Sequence, residues 1–503
     1  MLTSHAMPHA VVIGAGLGGL AAAMRLGARG YRVTVLDRLP QPGGRATVHR
    51  QDGFTFDAGP TIVTAPFVME ELWRFAGQDF HRDVTLKALD PFYVIRFDDG
   101  DTFTCRSDAE AMKREVGRIS PGDVAGYERF MAESEEIYRI GFEQLGHVPF
   151  DSVADMVKLL PSLVGLKAWR SVHGHVAHHV KHPKLRMGLS FHPLFVGGNP
   201  FRTTCVYSLI AYLERRHGVH WAVGGTHSIV KAMVKVIVRQ GGAVLSGTKA
   251  VEITQDNGRA TGVRLASGQV LPASIVVSNA DAAHTYRTLI AGGARRRWTP
   301  RKMAKARHSM SLFVWYFGTK RRYDAVPHHS ILMGPRYHGL IRDIFDRKIL
   351  AEDMSLYLHR PSASDPSVAP AGCDAFYVLS PVPNQDSGID WRDRAESYRS
   401  RIARRLHETV LPGFEAEIIS QRLMTPDDFE QGLLSYKGAA FGLEPVLTQS
   451  AWFRPHNKSE ELENLFLVGA GTHPGAGIPG VISSARVLDL AVPPAERFAR
   501  AAP

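Results

Sequence analysis

The chain of 503 residues contains only three cysteines, Cys105, Cys205 and Cys373, far apart and with no C-x-x-C pair. An odd, widely spaced set excludes a disulfide framework and a cysteine metal site, and fits reduced thiols. No stretch reaches the about 18 consecutive apolar residues of a transmembrane helix, so any membrane contact is expected to be peripheral. Ala10 to Met24 comes nearest, but it is too short and its glycines break it. Met1 to His9 has neither a basic start nor an apolar core, which predicts no signal peptide and a cytoplasmic location. There is no H-E-x-x-H, no Cys/His cluster and no Ser-His-Asp order, so neither a metal site nor a hydrolytic triad is expected. Acidic residues are in deficit, 49 against 60 Lys and Arg, for a net charge of +11. That excess suits an anionic partner. Lacking zinc-finger spacing or an arginine-rich tail, the chain points to a lipid surface and not to nucleic acid, with scattered solubilising charge as the plain alternative.

What is present begins with Ala10-Val-Val-Ile-Gly14-Ala-Gly16-Leu-Gly-Gly19-Leu-Ala-Ala-Ala-Met24, an apolar strand turning through G-x-G-x-x-G into an alanine-rich helix. In such a turn Gly14 makes the tight bend, Gly16 lets backbone approach a pyrophosphate, and Gly19 lets helix and strand pack closely. A second strand, Tyr31 to Leu36, ends in Asp37, 23 residues after Gly14, where a carboxylate is expected to accept ribose hydroxyls. Strand, glycines, helix and acid together make a dinucleotide-binding βαβ start. Gly43-Gly44-Arg45 and Phe54-Thr-Phe-Asp57-Ala-Gly59-Pro60-Thr61 follow, and neither belongs to an ordinary NAD fingerprint.

Three- and four-residue apolar spacing predicts helices over Phe67 to Phe75, Ala109 to Val116 and Asp123 to Phe142. Phe92 to Phe97 and Thr102 to Cys105 read as strands joined at Asp98 to Gly100, a hairpin expected to lie against those helices. Met156 to Arg170 interleaves Leu, Val and Trp169 with Lys158, Lys167 and Arg170, as a helix in a lipid interface would, or as any amphipathic helix packed on its own lobe. Gly224-Gly225-Thr226 opens a helix to about Arg239, and strands are expected at Ala243 to Leu245, Val251 to Ile253, Gly262 to Leu265 and Ala273 to Ser278. The basic run from Arg295 to Arg307 reads as a solvated helix face. Ser311 to Phe317, Ser355 to His359 and Phe376 to Ser380 are spaced like strands of one antiparallel sheet, able to wall an apolar cavity.

Near the end, Leu465-Phe-Leu-Val-Gly469-Ala-Gly471-Thr-His-Pro-Gly475-Ala-Gly477-Ile-Pro-Gly480-Val481 gives a second strand, glycine loop and helix start. One extended dinucleotide, FAD in preference to NAD, accounts for both loops.

These segments, with Gly146 to Phe150, Phe195 to Pro200, Ser278-Asn-Ala-Asp281 and Pro445 to Ser450, resemble the FAD-binding amine-oxidase-like superfamily, and within it the bacterial and fungal type of phytoene desaturase, over essentially the whole chain. Asp37 stands where that family more often has Glu, and Ala222 where a proline commonly precedes the Gly-Gly pair. The resemblance implies an α/β fold: a discontinuous Rossmann-like FAD domain from residues 8–75, 222–290 and 440–496, with an α+β substrate-binding and membrane-associating domain of mixed antiparallel sheet and helices from 76–221 and 291–439. It implies FAD held by Gly14, Gly16, Gly19, Asp37, Gly43, Gly44, Arg45, Gly59, Pro60, Thr61, Val251, Gly469, Gly471, Ile478, Pro479, Gly480 and Val481. The implied chemistry is successive desaturation of phytoene, a hydrophobic C40 carotenoid, to lycopene or a related polyene, with hydride passing to flavin N5 and then to oxygen or a quinone. Asp155 and Lys158, three residues apart on one helix, are the candidates for taking the substrate proton or stabilising the cation, with an exposed ion pair as the plain alternative. The implied location is the inner face of the cell membrane. Rival expectations are another FAD-dependent carotenoid oxidoreductase or isomerase, and a flavin-free lipid escort protein.

Overall fold

In the computed structural model, residues 7–150, 152–292 and 295–499 are described, with backbone alone for 153–155 and 499. The first strand, His9–Ile13, is nearly all buried because it lies in the middle of a five-stranded parallel sheet. Arg32–Leu36 and then Ala243–Leu245 flank it on one side, Ile275–Ser278 and then Leu465–Leu467 on the other. The inner strands His9–Ile13 and Ile275–Ser278 are covered on both faces, which is why they read as nearly unbroken apolar runs. Burying each Val or Leu stabilises the sheet by about 1.5–3 kcal/mol.

Both ends of the chain contribute to this layer. Helix Leu17–Ala28 packs along Ile478–Ala491, and Arg29 Nη1 pairs with Asp489 Oδ1 at 2.8 Å. Tyr31 Oη also donates to the Pro493 carbonyl at 2.8 Å. The strands predicted around Val251 and Gly262 fall outside this sheet, in a separate antiparallel layer of Ala250–Asp256, Arg259–Leu265 and Val270–Pro272.

The second layer is a seven-stranded sheet in the order Ile418–Met424, Ser311–Thr319, Asp374–Val382, Leu356–His359, His329–Leu332, Tyr93–Arg96, Thr102–Cys105. Every pairing is antiparallel except His329–Leu332 with Tyr93–Arg96, so the sheet is mixed. The hairpin lies against helix Ala109–Ile119 as expected, with Thr104 N–H donating to Glu115 Oε1 at 2.9 Å, and it also forms the edge of this sheet, because its alternating residues need a strand partner as well as a packed face.

Ser311–Thr319 is buried along its whole length. Its side chains alternate by strand geometry: Leu312, Val314 and Tyr316 join the central core, while Phe313, Trp315 and Phe317 pack on the far side with Trp391, Tyr398 and Leu406 of helix Trp391–Thr409. One strand therefore serves two cores.

Helices fall close to the periodicities, at Pro66–Phe75, Ala109–Ile119, Val124–Tyr138 and His227–Arg239. The lipid-interface candidate is helix Val153–Gly165. Among the described residues no helix is long and apolar enough to cross a membrane. All three cysteines are free thiols.

Candidate active site

A cavity of about 870 Å³ runs between the two layers. At one end it is walled by Gly14, Gly16, Gly18, Asp37, Gly43, Gly44, Arg45, Gly59, Pro60 and Thr61 from the first loops, and by Ala470 and Gly477 to Val481 from the last. Two turns at opposite ends of the chain thus border one space. At the other end the wall turns apolar: Met310, Leu312, Val314, Ile331, Met333, Leu356 and Leu379 come from the sheet, and Met156, Leu159 and Leu163 from the helix Val153–Gly165.

The glycines of the first loop are fixed by contact as well as by the turn. A Cβ on Gly19 would lie 2.0 Å from the Gly14 carbonyl oxygen. That loop is held by Gly43, whose N–H donates to the Ala15 carbonyl at 2.8 Å, and by Asn279, whose Nδ2 donates to the Gly14 carbonyl at 3.3 Å. Gly19, Gly469 and Gly471 stand behind the wall in packing roles; Val251 lies one residue beyond Ala250, which does line the cavity.

Asp37 is buried at the cavity edge, and its two carboxylate oxygens accept from Ala15 N (2.7 Å) and Leu39 N (2.8 Å). Burial raises its pKa, while those two N–H groups work against the rise. A carboxylate oxygen has two acceptor sites, so each retains one for a ribose hydroxyl. Arg45 is also inside: Nη2 donates to Ser435 Oγ at 2.7 Å, and Nε has no partner. Burial lowers its pKa, opposed by the charge of Asp281. A half-buried cation with a covered, unused donor beside a glycine turn fits an anionic pyrophosphate.

The last loop feeds helix Ile478–Ala491, with Gly477 at its N-cap and no side chain supplying a cap. Its free N–H groups and positive dipole end meet the cavity, where they suit an electron-rich ring edge. Between the two ends, Tyr357 Oη shares hydrogen bonds with Thr61 Oγ1 (2.6 Å) and His329 Nδ1 (2.7 Å). His329 stays neutral because burial drives its pKa well below the usual imidazole range. A long dinucleotide with a ring system at its far end fits this donor set.

The helix Val153–Gly165 has two apolar faces. Leu159 is buried on the cavity side, whereas Val157, Leu160 and Val164 are exposed at 57%, 51% and 59%, with Trp169 exposed at 65% just beyond. Lys158 is exposed and lies off the cavity wall, which corrects its assignment as a proton-accepting group: about 100° of helix rotation separates it from Leu159, enough to turn it out to solvent. The side chain of Asp155 lies outside the described residues. The basic run is tied down, with Arg297 over Trp452 at 4.5 Å, Lys302 over Trp298 at 3.9 Å, and Glu461 accepting from the Arg297 and Trp298 N–H groups.

The sequence reading passed over Asn279, Tyr357 and Glu214, all on the cavity wall. Asn279 belongs to the Ser278-Asn-Ala-Asp281 turn, where nothing in the sequence marks its own role. Tyr357 and Glu214 sit in ordinary strand and helix patterns, and no local signal marks them.

A parallel dinucleotide-binding sheet joined to a sheet-walled apolar cavity defines a flavoprotein oxidoreductase fold. Residues 17–487 match the family model "Flavin containing amine oxidoreductase". The chain is 54% identical over 498 residues to a neurosporene-forming phytoene desaturase of Cereibacter sphaeroides, covering 98% of this chain and 96% of that one. It is 46% identical to a lycopene-forming phytoene desaturase of a Paracoccus species, covering 96% and 97%. Among solved structures, cyclohexylamine oxidase from Brevibacterium oxydans superposes with TM-score 0.59 at 14% identity, covering 98% and 99%. The chain belongs to the flavin-containing amine oxidoreductase family and, within it, to the phytoene desaturases. Its cofactor is FAD.

Proposed function

We propose that the protein removes hydrogen from successive saturated C–C bonds of phytoene to build a conjugated polyene, neurosporene or lycopene. The observation that carries this reading is the continuity of one cavity from the glycine turns to an oily slot between sheet and helix. A hydrocarbon offers no group for a nucleophile to seize. Bound FAD supplies the two-electron acceptor, and the chain's own residues do the rest. Asp37, Arg45 and the two glycine turns grip the cofactor. The N-terminus of Ile478–Ala491 favours negative charge on the ring edge nearest it. Leu312, Val314, Ile331 and Leu379 align the isoprenoid and keep water out.

The helix Val153–Gly165 is the proposed entrance. Met156, Leu159 and Leu163 face the slot, and Val157, Leu160 and Val164 on its outer side would enter the lipid that dissolves the substrate. This supports a peripheral position on the cytoplasmic membrane face, with electrons leaving to oxygen or a membrane quinone. The two separate sheets support a division into an FAD domain (8–75, 222–290, 440–496) and a substrate domain (76–221, 291–439). The test is expression beside a phytoene-producing pathway, with pigments resolved by absorption. Coloured polyene is expected, and its absorption gives the number of bonds introduced. Flavin-loaded protein that leaves phytoene colourless would refute the reading.

A further inference from the structure

Among the described residues four acidic side chains border the cavity: Asp37, Glu214, Asp281 and Asp428. Three are committed to backbone. Asp37 accepts from Ala15 and Leu39, Asp281 Oδ1 caps the short helix at Ala283 N (2.8 Å), and Asp428 Oδ2 accepts from Thr425 N (2.7 Å). Glu214 differs in setting and in partners. It lies on helix Leu209–His217, is 3% exposed, and shares the wall with Leu209, Leu213, Phe191 and Phe195. Its Oε2 accepts from Tyr93 Oη at 2.8 Å and stands 3.5 Å from His192 Nε2. Tyr93 Oη and His192 Nε2 are themselves 3.1 Å apart. No arginine or lysine forms an ion pair with it among the described residues. A carboxylate kept in an oily wall, held by a phenol and an imidazole, is costly unless it has a use.

We propose that Glu214 is the base that takes the proton in each desaturation, with Tyr93 and His192 as positioning residues. This rests on the desaturase reading above. One substrate carbon gives up hydrogen with its electron pair to the bound flavin. The neighbouring carbon loses a proton to a Glu214 carboxylate oxygen, and the electrons of that second C–H bond become the new π bond. In the interval the carboxylate's negative charge stabilises the electron-poor carbon, an interaction made stronger by the low-dielectric wall. The proton then passes toward His192. General-base help of this kind contributes about 10²–10⁴-fold in rate.

The test compares wild type, Glu214→Gln, Glu214→Asp and Glu214→Leu as FAD-loaded protein with phytoene in liposomes, and as flavin-free protein for phytoene retention. Glu214→Gln is expected to keep its flavin absorbance and its apparent KM while kcat falls by at least a hundredfold, and Glu214→Asp is expected to recover part of the loss. Glu214→Leu without flavin is expected to hold phytoene at least as tightly as wild type, because the slot loses a polar group. Glu214→Gln working within threefold of wild type would overturn the proposal while leaving the desaturase reading intact. Wild type that leaves phytoene unchanged would instead sink that reading. Should the Glu214 variants fail to fold, Tyr93→Phe decides: kcat down tenfold or more at constant KM supports the role, and unchanged kcat overturns it.

Discussion

Gly18 and Gly469 meet where the two ends of the chain join, so closely that a Cβ on Gly18 would lie 2.9 Å from Gly469 Cα and 2.6 Å from Asn279 Oδ1. Three segments hundreds of residues apart converge there beneath the cofactor end of the cavity. Replacing Gly18 by valine must push the terminal loop away from the first. Such overpacking costs about 1–3 kcal/mol, and the larger effect is expected on cofactor retention. Gly18→Val should purify without visible flavin absorbance; a variant with full flavin content would contradict the geometry.

Arg45 is a half-buried cation with one side-chain hydrogen bond and a covered, unpartnered Nε. In the proposed cofactor site it would pair with the FAD pyrophosphate, and charge-assisted hydrogen bonds contribute about 1.5–3 kcal/mol. Arg45→Met is expected to weaken FAD about ten- to a hundredfold while leaving the flavin-free melting temperature unchanged or higher. Titration of flavin-free protein with FAD, alongside a thermal melt, measures both.

The exposed side chains of Leu160 and Val164 make no core contribution, so Leu160→Glu with Val164→Glu is expected to move stability by no more than about 0.5 kcal/mol per site. Burying each in lipid is worth about 1.5–3 kcal/mol, and the double variant should bind anionic vesicles at least tenfold more weakly in a sedimentation assay. Equal binding would remove the helix from the membrane contact.

Acid should destabilise the fold through His328, His329 and His359, which are buried and neutral, with His328 lowered to about 3 by burial and the other two well below the usual range. Each binds a proton more readily when unfolded. Their contribution is therefore complete above about pH 6.5 and is lost as pH falls below it, by up to about 2 kcal/mol each at pH 5. Asp57 opposes this, because burial raises its pKa to about 7 and its neutral form gains in the same range. Asp37 and Glu444, raised by burial, act with Asp57, while His49, His175 and His473, each lowered to about 4 by burial, act with the three histidines, so the histidines outnumber the carboxyls and the net is a loss. Thermal melts at pH 7 and pH 5 should differ by several degrees, lower in acid, and a flat profile would argue that the histidines protonate in place.

Local sequence fixed the two strand-glycine-helix turns, because a tight bend and an anion-facing helix start demand particular residues at particular spacing, whatever surrounds them. Gly14, Gly16, Arg45 and Gly480 were legible for that reason, and so was the parallel nucleotide layer. Helix ends came within a few residues, since apolar periodicity reports a buried face directly.

Side-chain direction was another matter. Lys158 and Leu159 are neighbours in one amphipathic helix with apolar groups on both sides, and only the packed sheet opposite decides which side meets the cavity. The edge position of the Tyr93–Cys105 hairpin likewise followed from its pairing with His329–Leu332, more than 200 residues away. Glu214, Tyr93 and His192 come from a helix, a strand and a turn whose local patterns are ordinary. Spacing along a chain specifies backbone chemistry within one turn, whereas the grouping of distant side chains around a cavity is set by which faces bury together, and that is a property of the folded whole.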